Sequence, residues 1–248
     1  MKYILMCGGN YKRFKKPRQL LKINGEVLIE RTIRQLRENG IDDICISTNS
    51  HDFDYLGVPI LNKEDNKYSN NEDKQKEVTD SKRSWLQAYY LVNEPVCYLH
   101  GDTYFSDDAI NKIVHKNTSR AVFFCTPSKN DVVHKSELNN KGREPIGFKV
   151  ENYRLFNFAV TDLLRMIDDG KFKDATCPPI AWTVYRYLNG LDLCYKAKGY
   201  GELNSIFNIA GDYMIINDET TDVDFIKDIK VIENALKNRG DIDGKESE

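Results

Sequence analysis

The sequence predicts an α/β fold built on a mixed, mostly parallel sheet within a single domain. Three observations predict it. Short apolar runs alternate with segments of helical period along most of the chain. The first elements have the lengths of a strand–helix–strand unit, which implies parallel strands. Two apolar runs end in residues suited to a ligand at a sheet edge, Gly8-Gly9 and Gly101-Asp102. A chain of 248 residues is long enough for one large α/β domain and does not require two.

Tyr3-Ile4-Leu5-Met6-Cys7 is the first strand. Residues 27–39 place apolar side chains at 28, 29, 33 and 36, a helical spacing, and Gly40 stands where such a helix would stop. Residues 43–48 read as the next strand and 58–61 as a short third. Residues 62–80 are almost wholly polar and read as a mobile loop. A helix over 81–92 leads into a strand over 95–102, followed by a helix over 107–115 and a strand over 121–126. The stretch 128–145 is charged and unpatterned. A strand over 147–150, helices over 155–168 and 180–188, a strand over 212–217 and a helix over 223–237 complete the order. The domain is thus expected over 1–237, with a disordered tail over 238–248.

The net charge is −2, so the protein as a whole is no polyanion binder. Against this background the cations Lys12, Arg13, Lys15, Lys16 and Arg18 form a local cluster. That contrast favours a small phosphorylated ligand over nucleic acid. The six cysteines are scattered and mostly lie in apolar runs, where a thiol packs as a small core residue. With no signal peptide ahead of the first strand and no apolar stretch of membrane-spanning length, the expectation is a reduced, cytoplasmic protein that does not engage a membrane.

The N-terminal loop carries the most information. A buried strand breaks into Gly8-Gly9, where bare backbone can approach a ligand closely. Cationic side chains follow, and exposed N–H groups beside concentrated positive charge suit a polyphosphate. The loop lacks the Gly-Lys-Ser/Thr of a Walker A motif and the Gly-x-Gly-x-x-Gly of a dinucleotide fingerprint. It resembles the signature of nucleotidyltransferases with the glycosyltransferase-A-like fold, the MobA-like and sugar-, polyol- or choline-phosphate enzymes. Gly8, Gly9, Arg13, Pro17, Leu20 and Gly25 match that pattern; Tyr11 replaces its third glycine and Arg18 its lysine. The resemblance covers 1–130 and, less closely, 210–237. It implies a three-layer α/β/α, Rossmann-like architecture, with 128–210 as a smaller acceptor-binding insertion.

The resemblance also implies roles. Met6, Cys7, Gly8, Gly9, Asn10, Tyr11 and Gly101 would line the nucleotide, with base read-out near Asn49, Ser81 and Ser84. Arg13 would meet the β- and γ-phosphates, and Arg18, in the lysine's place, the α-phosphate. Asp102 and Asp224 would hold Mg²⁺, with Asp222 as the alternative to Asp224. A plain reading of Asp222 or Asp224 is an N-terminal helix cap. Lys149 falls where the family places acceptor contacts, although an ordinary strand lysine would also fit. His100, adjacent to Gly101-Asp102, reads as a core histidine beside the site.

The implied reaction is Mg²⁺-dependent transfer of a nucleotidyl group, from CTP ahead of UTP, to a small phosphorylated acceptor such as a sugar, polyol or amino-alcohol phosphate. The implied pathway is synthesis of polysaccharide precursors. Three alternatives stay open. One is a nucleotide-binding regulator without turnover. Another is a glycosyltransferase, although the chain lacks a suitably placed Asp-x-Asp. The third is a molybdenum-cofactor type of guanylyltransferase. The aromatic residues of the later helices (Phe156, Phe158, Trp182, Tyr185, Tyr187) pack the fold or the interface of a homo-oligomer.

Overall fold

A computed structural model describes residues 1–8, 16–48, 50–62, 86, 89–126, 145–170, 180–190 and 212–243. The first half contains β1 (Lys2–Met6), a 3-10 turn (Arg18–Leu20), β2 (Lys22–Ile23), β3 (Glu26–Val27), α1 (Leu28–Glu38), β4 (Ile44–Thr48), a 3-10 helix (His51–Leu56), β5 (Ile60–Asn62), β6 (Val96–His100) and β7 (Thr103–Tyr104). The second half contains α2 (Asp107–His115), β8 (Ala121–Cys125), β9 (Pro145–Val150), α3 (Tyr153–Asp168), α4 (Ile180–Leu188), β10 (Tyr213–Ile215), β11 (Thr221–Asp222) and α5 (Ile226–Asp243).

The main sheet has the order β10-β8-β9-β6-β1-β4-β5. β1 pairs in parallel with both β4 and β6, which places the Gly8 end of β1 at the middle of one sheet edge. Among its described strands only β9 runs antiparallel, to β6 on one side and β8 on the other. The predicted α/β class with a mixed, mostly parallel sheet is the observed one.

Helices cover both faces. On one, Leu5, Ile29, Ile33, Leu36, Ile110 and Ile113 bring α1 and α2 onto the sheet. On the other, Tyr98, Phe148, Phe156, Val160, Leu163 and Tyr185 bring α3 and α4 onto it. Aromatic rings dominate the second layer. Tyr89 meets Tyr98, Phe148 and Phe156 edge-on at centroid separations of 5.3, 5.8 and 5.6 Å, a favoured geometry for aromatic quadrupoles. The third core is small: α5 and the β2–β3 pair share Ile23, Leu28, Tyr104, Val223 and Ile232.

Local chemistry explains the helix ends. Gly40 has φ +77°, its N–H bonds Arg37 O and the Ile41 N–H bonds Leu36 O, so α1 closes in a Schellman motif that a Cβ would disfavour. Ser106 Oγ accepts from the Ala109 N–H at 2.9 Å and starts α2. Asn152 Oδ1 caps Leu155 N at 3.1 Å, so α3 begins at Tyr153, ahead of the expected 155.

The chain departs from its pattern in two further places. Leu86 is helical, but residues 89–92 are not, although the sequence reads as helix to 92. Tyr98 Oη donates to Tyr90 O and Asn157 Nδ2 to Val92 O, so those carbonyls bond side chains. The last helix starts at Ile226 and continues to Asp243, into the segment whose composition reads as a tail. The expected loop at 63–80 and the unpatterned stretch at 127–144 lie outside the described residues.

Gly147 marks the tightest packing of β9 on β6. A Cβ there would collide with Tyr98 O and come within 2.9 Å of Leu99 Cδ2. Gly147→Ala is therefore expected to destabilise the protein by about 1–3 kcal/mol, read as a lower urea midpoint with an unchanged slope.

Candidate active site

The site assembles at the edge where β1 and β6 end. Past the last residue of β1 the ladder continues, with Cys7 N–H donating to Ser47 O at 2.9 Å and Gly101 N–H to Met6 O at 3.0 Å. Thr48 Oγ1 donates to Cys7 O at 3.1 Å. Met6 and Cys7 are buried, and Gly8 is half-buried at the head of the loop. Burial, with the Asp102 charge adding to it, raises the Cys7 thiol well above its usual range, so Cys7 is an inert wall residue.

The chain returns to this edge at Pro17. Leu20 N–H bonds Pro17 O at 3.0 Å and Leu21 N–H bonds Arg18 O at 3.0 Å, forming the short 3-10 turn. The turn buries Gln19 to 1% exposure beside Gly101. A Cβ on Gly101 would stand 2.5 Å from Cys7 Sγ and 3.2 Å from Gln19 Cγ. Protein atoms fill the space over Gly101, so the glycine is there for the close approach of the turn to the strand ends.

The third segment of the site comes from the far end of the chain. β11 pairs antiparallel with β7, Thr221 opposite Tyr104 and Asp222 opposite Thr103. Val223 N–H donates to Asp102 O at 2.9 Å, and Ser106 binds both Thr220 Oγ1 and Asp218. Residue 224 is thereby brought beside residue 102. Asp228 Oδ2 accepts from the N–H groups of Asp224 and Phe225 at 2.9 and 2.7 Å, capping the start of α5 from within it. Asp228 thus holds the two backbone N–H groups that lead into α5.

Arg18 joins the two carboxylates. Its Nη2 lies 2.5 Å from Asp102 Oδ2, its Nη1 2.6 Å from Asp224 Oδ1, and Nη1 also donates to Val223 O at 3.2 Å. Burial opposes the guanidinium charge, but Asp102, Asp224 and Asp222 outweigh it and raise Arg18 above its ordinary value. The structure thus brings together Arg18, Asp102 and Asp224 beside Met6, Cys7, Gly8 and Gly101. Gly9, Asn10, Tyr11, Arg13, Asn49, Ser81 and Ser84 lie outside the described residues.

Two carboxylates, with a cation between them, have the hard-oxygen chemistry that a magnesium ion takes alongside phosphate oxygens and water. Among the described residues no group of three or more His, Cys, Asp and Glu is arranged to hold a metal.

Lys149 is elsewhere. Because β9 runs against its neighbours, Lys149 pairs with Cys97 and Val122, near the starts of β6 and β8 and away from the Asp102 edge. It is 7% exposed, and its ammonium donates to Val114 O at 2.6 Å and Ile113 O at 3.3 Å, the last carbonyls of α2. Burial lowers its pKa against the opposing effect of Cys97 and Glu151. The acceptor contact expected of Lys149 is not where the fold puts it.

His100 is buried, as expected of a core histidine, and bonds the backbone of Pro145, which offers only a carbonyl. Burial lowers its pKa; Asp102 and the Pro145 bond oppose that, and Arg18 adds to it. Sequence reasoning did not find Gln19, whose buried Oε1 has no hydrogen-bond partner among the described residues. The available signal was a polar residue inside Pro17-Arg18-Gln19-Leu20, next to a cation assigned to the ligand.

Lys149→Ala is expected to lower stability by about 1–3 kcal/mol, since two carbonyls lose their donor. Acceptor KM should stay within about twofold, measured by steady-state kinetics. His100 gives a pH dependence. The unfolded chain takes up a proton near pH ~6.5 that the folded chain resists, so stability falls as pH drops below ~6.5 toward the folded value. Urea midpoints should fall over this range, and less steeply in His100→Gln.

No helix among the described residues is long and apolar enough to cross a membrane. No curated protein matches the chain by sequence. Among solved structures, it is similar to a CTP:phosphocholine cytidylyltransferase from Streptococcus pneumoniae at 18% identity and TM-score 0.50, over 95% of this chain and 98% of that one. It is also similar to a Bacillus anthracis protein assigned as a glucose-1-phosphate thymidylyltransferase, at 14% identity and TM-score 0.57, over 94% of each chain. These likenesses concern the fold. Residues 3–199 match the MobA-like NTP transferase domain. With four-fifths of its length in that match, and with the loop that opens the match leading to Arg18 and Asp102, the chain belongs to the MobA-like NTP transferase family and is a nucleotidyltransferase.

Proposed function

We propose that the protein transfers a nucleotidyl group from CTP, with UTP next in preference, to a small phosphorylated acceptor and releases pyrophosphate. The observation that carries this reading is the convergence of Arg18, Asp102 and Asp224 at the edge where β1 gives way to the Gly8 loop. A sugar, polyol or amino-alcohol phosphate is the acceptor class. The Ser81 and Ser84 positions of the cytidylyl branch and the fold likeness to a phosphocholine cytidylyltransferase support CTP.

The chemistry needs charge control more than proton transfer. An acceptor phosphate oxygen attacks the α-phosphorus, the bond to the bridging oxygen breaks, and pyrophosphate leaves with that oxygen. The attacking oxygen is already an anion, so no general base is required, in keeping with a His100 that is buried and engaged with Pro145. The protein must hold two mutually repelling anions in line. Arg18 faces the α-phosphate and Arg13 the β- and γ-phosphates. The Gly8-Gly9 backbone supports the nucleoside. Asp102 and Asp224 would hold Mg²⁺, which supplies Lewis-acid neutralisation of the phosphate oxygens.

The test is pyrophosphate release with Mg²⁺, each nucleoside triphosphate in turn and a panel of phosphorylated acceptors. Release is expected with one pyrimidine nucleotide. It should fall by about 10²–10³-fold in Asp102→Ala and in Asp224→Ala, the size of loss typical of a transition-state electrostatic contact. Arg18→Ala should reduce kcat far more than nucleotide affinity. Tight nucleotide binding with no release across the panel would favour the regulator instead.

A further inference from the structure

We infer that Arg18 is a resident counter-cation that keeps divalent metal out of the site until a nucleotide draws it away. The guanidinium uses a separate nitrogen for each carboxylate, Nη2 on Asp102 and Nη1 on Asp224, with Val223 O as a third partner. One oxygen of each carboxylate, Asp102 Oδ2 and Asp224 Oδ1, is therefore already engaged in a charge-assisted bond, and the guanidinium charge stands where a metal ion would sit. The arrangement is built in. Arg18 opens a 3-10 turn whose next residue, Gln19, is buried against Gly101, and that packing holds the side chain within reach of both acids. Asp228 accepts from the backbone N–H groups of Asp224 and Phe225, which fixes the segment that carries the Asp224 carboxylate.

A guanidinium stays charged at any physiological pH, so protons do not open this latch. A competing anion does. The phosphates of a nucleoside triphosphate offer oxygens of the same kind that Asp102 and Asp224 give to Arg18. As Arg18 turns to them, the carboxylates become free for the metal. Metal uptake is thereby coupled to nucleotide binding, and the apparent metal affinity of the free protein is reduced by the fraction of molecules in which Arg18 has let go. A lysine would have to reach both carboxylates from one atom, so arginine at position 18 strengthens the exclusion. The identity of the displacing anion rests on the nucleotidyltransferase reading; the exclusion of metal by Arg18 does not.

The experiment titrates the full chain with Mn²⁺ alone, following the free-ion signal by electron paramagnetic resonance. Wild type is expected to leave Mn²⁺ free, and Arg18→Ala to bind it at least about tenfold more tightly. Adding Asp224→Asn should abolish that gain. Arg18→Lys, which keeps a positive charge at the turn, should fall between them and guards against misfolding of the alanine variant; thermal melts check each protein. With a non-hydrolysable CTP analogue, water-proton relaxation should report protein-bound Mn²⁺ in wild type. Equal Mn²⁺ affinity in wild type, Arg18→Lys and Arg18→Ala without nucleotide would overturn the inference. A gain in Arg18→Ala without analogue-driven uptake by wild type would uphold the exclusion and count against CTP as the nucleotide.

Discussion

The site depends on one residue used twice. Asp102 gives its carbonyl to Val223 N–H and its carboxylate to Arg18. The first bond brings the end of the chain back to the middle of the sheet, and the second ties down the turn that follows the glycine loop. Three segments far apart in sequence thus meet because one position at the end of β6 has both backbone and side chain to offer. The antiparallel contact of β7 with β11 then holds the third segment in register. Without that closure Asp224 would have no reason to be near Asp102.

How the chain spends its buried charge follows from the same layout. Arg18 is held among carboxylates at the edge where strands end, a place for exchangeable partners. Lys149 is held by helix carbonyls near the opposite edge, where the interaction is permanent and structural. Both are half- or fully buried cations. Their surroundings differ accordingly, carboxylates around one and helix carbonyls around the other.

Much of the fold was legible in the residues. Apolar runs gave the strands, and the 28, 29, 33, 36 spacing with Gly40 gave α1 and its stop. Arg18, Asp102 and Asp224 were singled out through the resemblance of their segments to a family signature, and the fold brings their side chains together. What escaped depended on tertiary partners. The direction of β9 cannot be read from an apolar strand, yet that direction decides which edge Lys149 occupies. Likewise, only the fold shows which backbone groups the Asp228 carboxylate meets ahead of α5. The irregular end of the helix near Tyr89 turns on side-chain bonds from Tyr98 and Asn157, neither local in sequence.

The reversed strand has a wider consequence. Since β8 and β9 are antiparallel neighbours, the end of β8 at Cys125 and the start of β9 at Pro145 lie on the same margin as Asp102. Whatever chain joins those two points leaves the sheet and returns to it on that margin. A reversal in an otherwise parallel ladder thus gives evolution a place to vary the neighbourhood of the chemistry while the apparatus on Asp102 stays as it is.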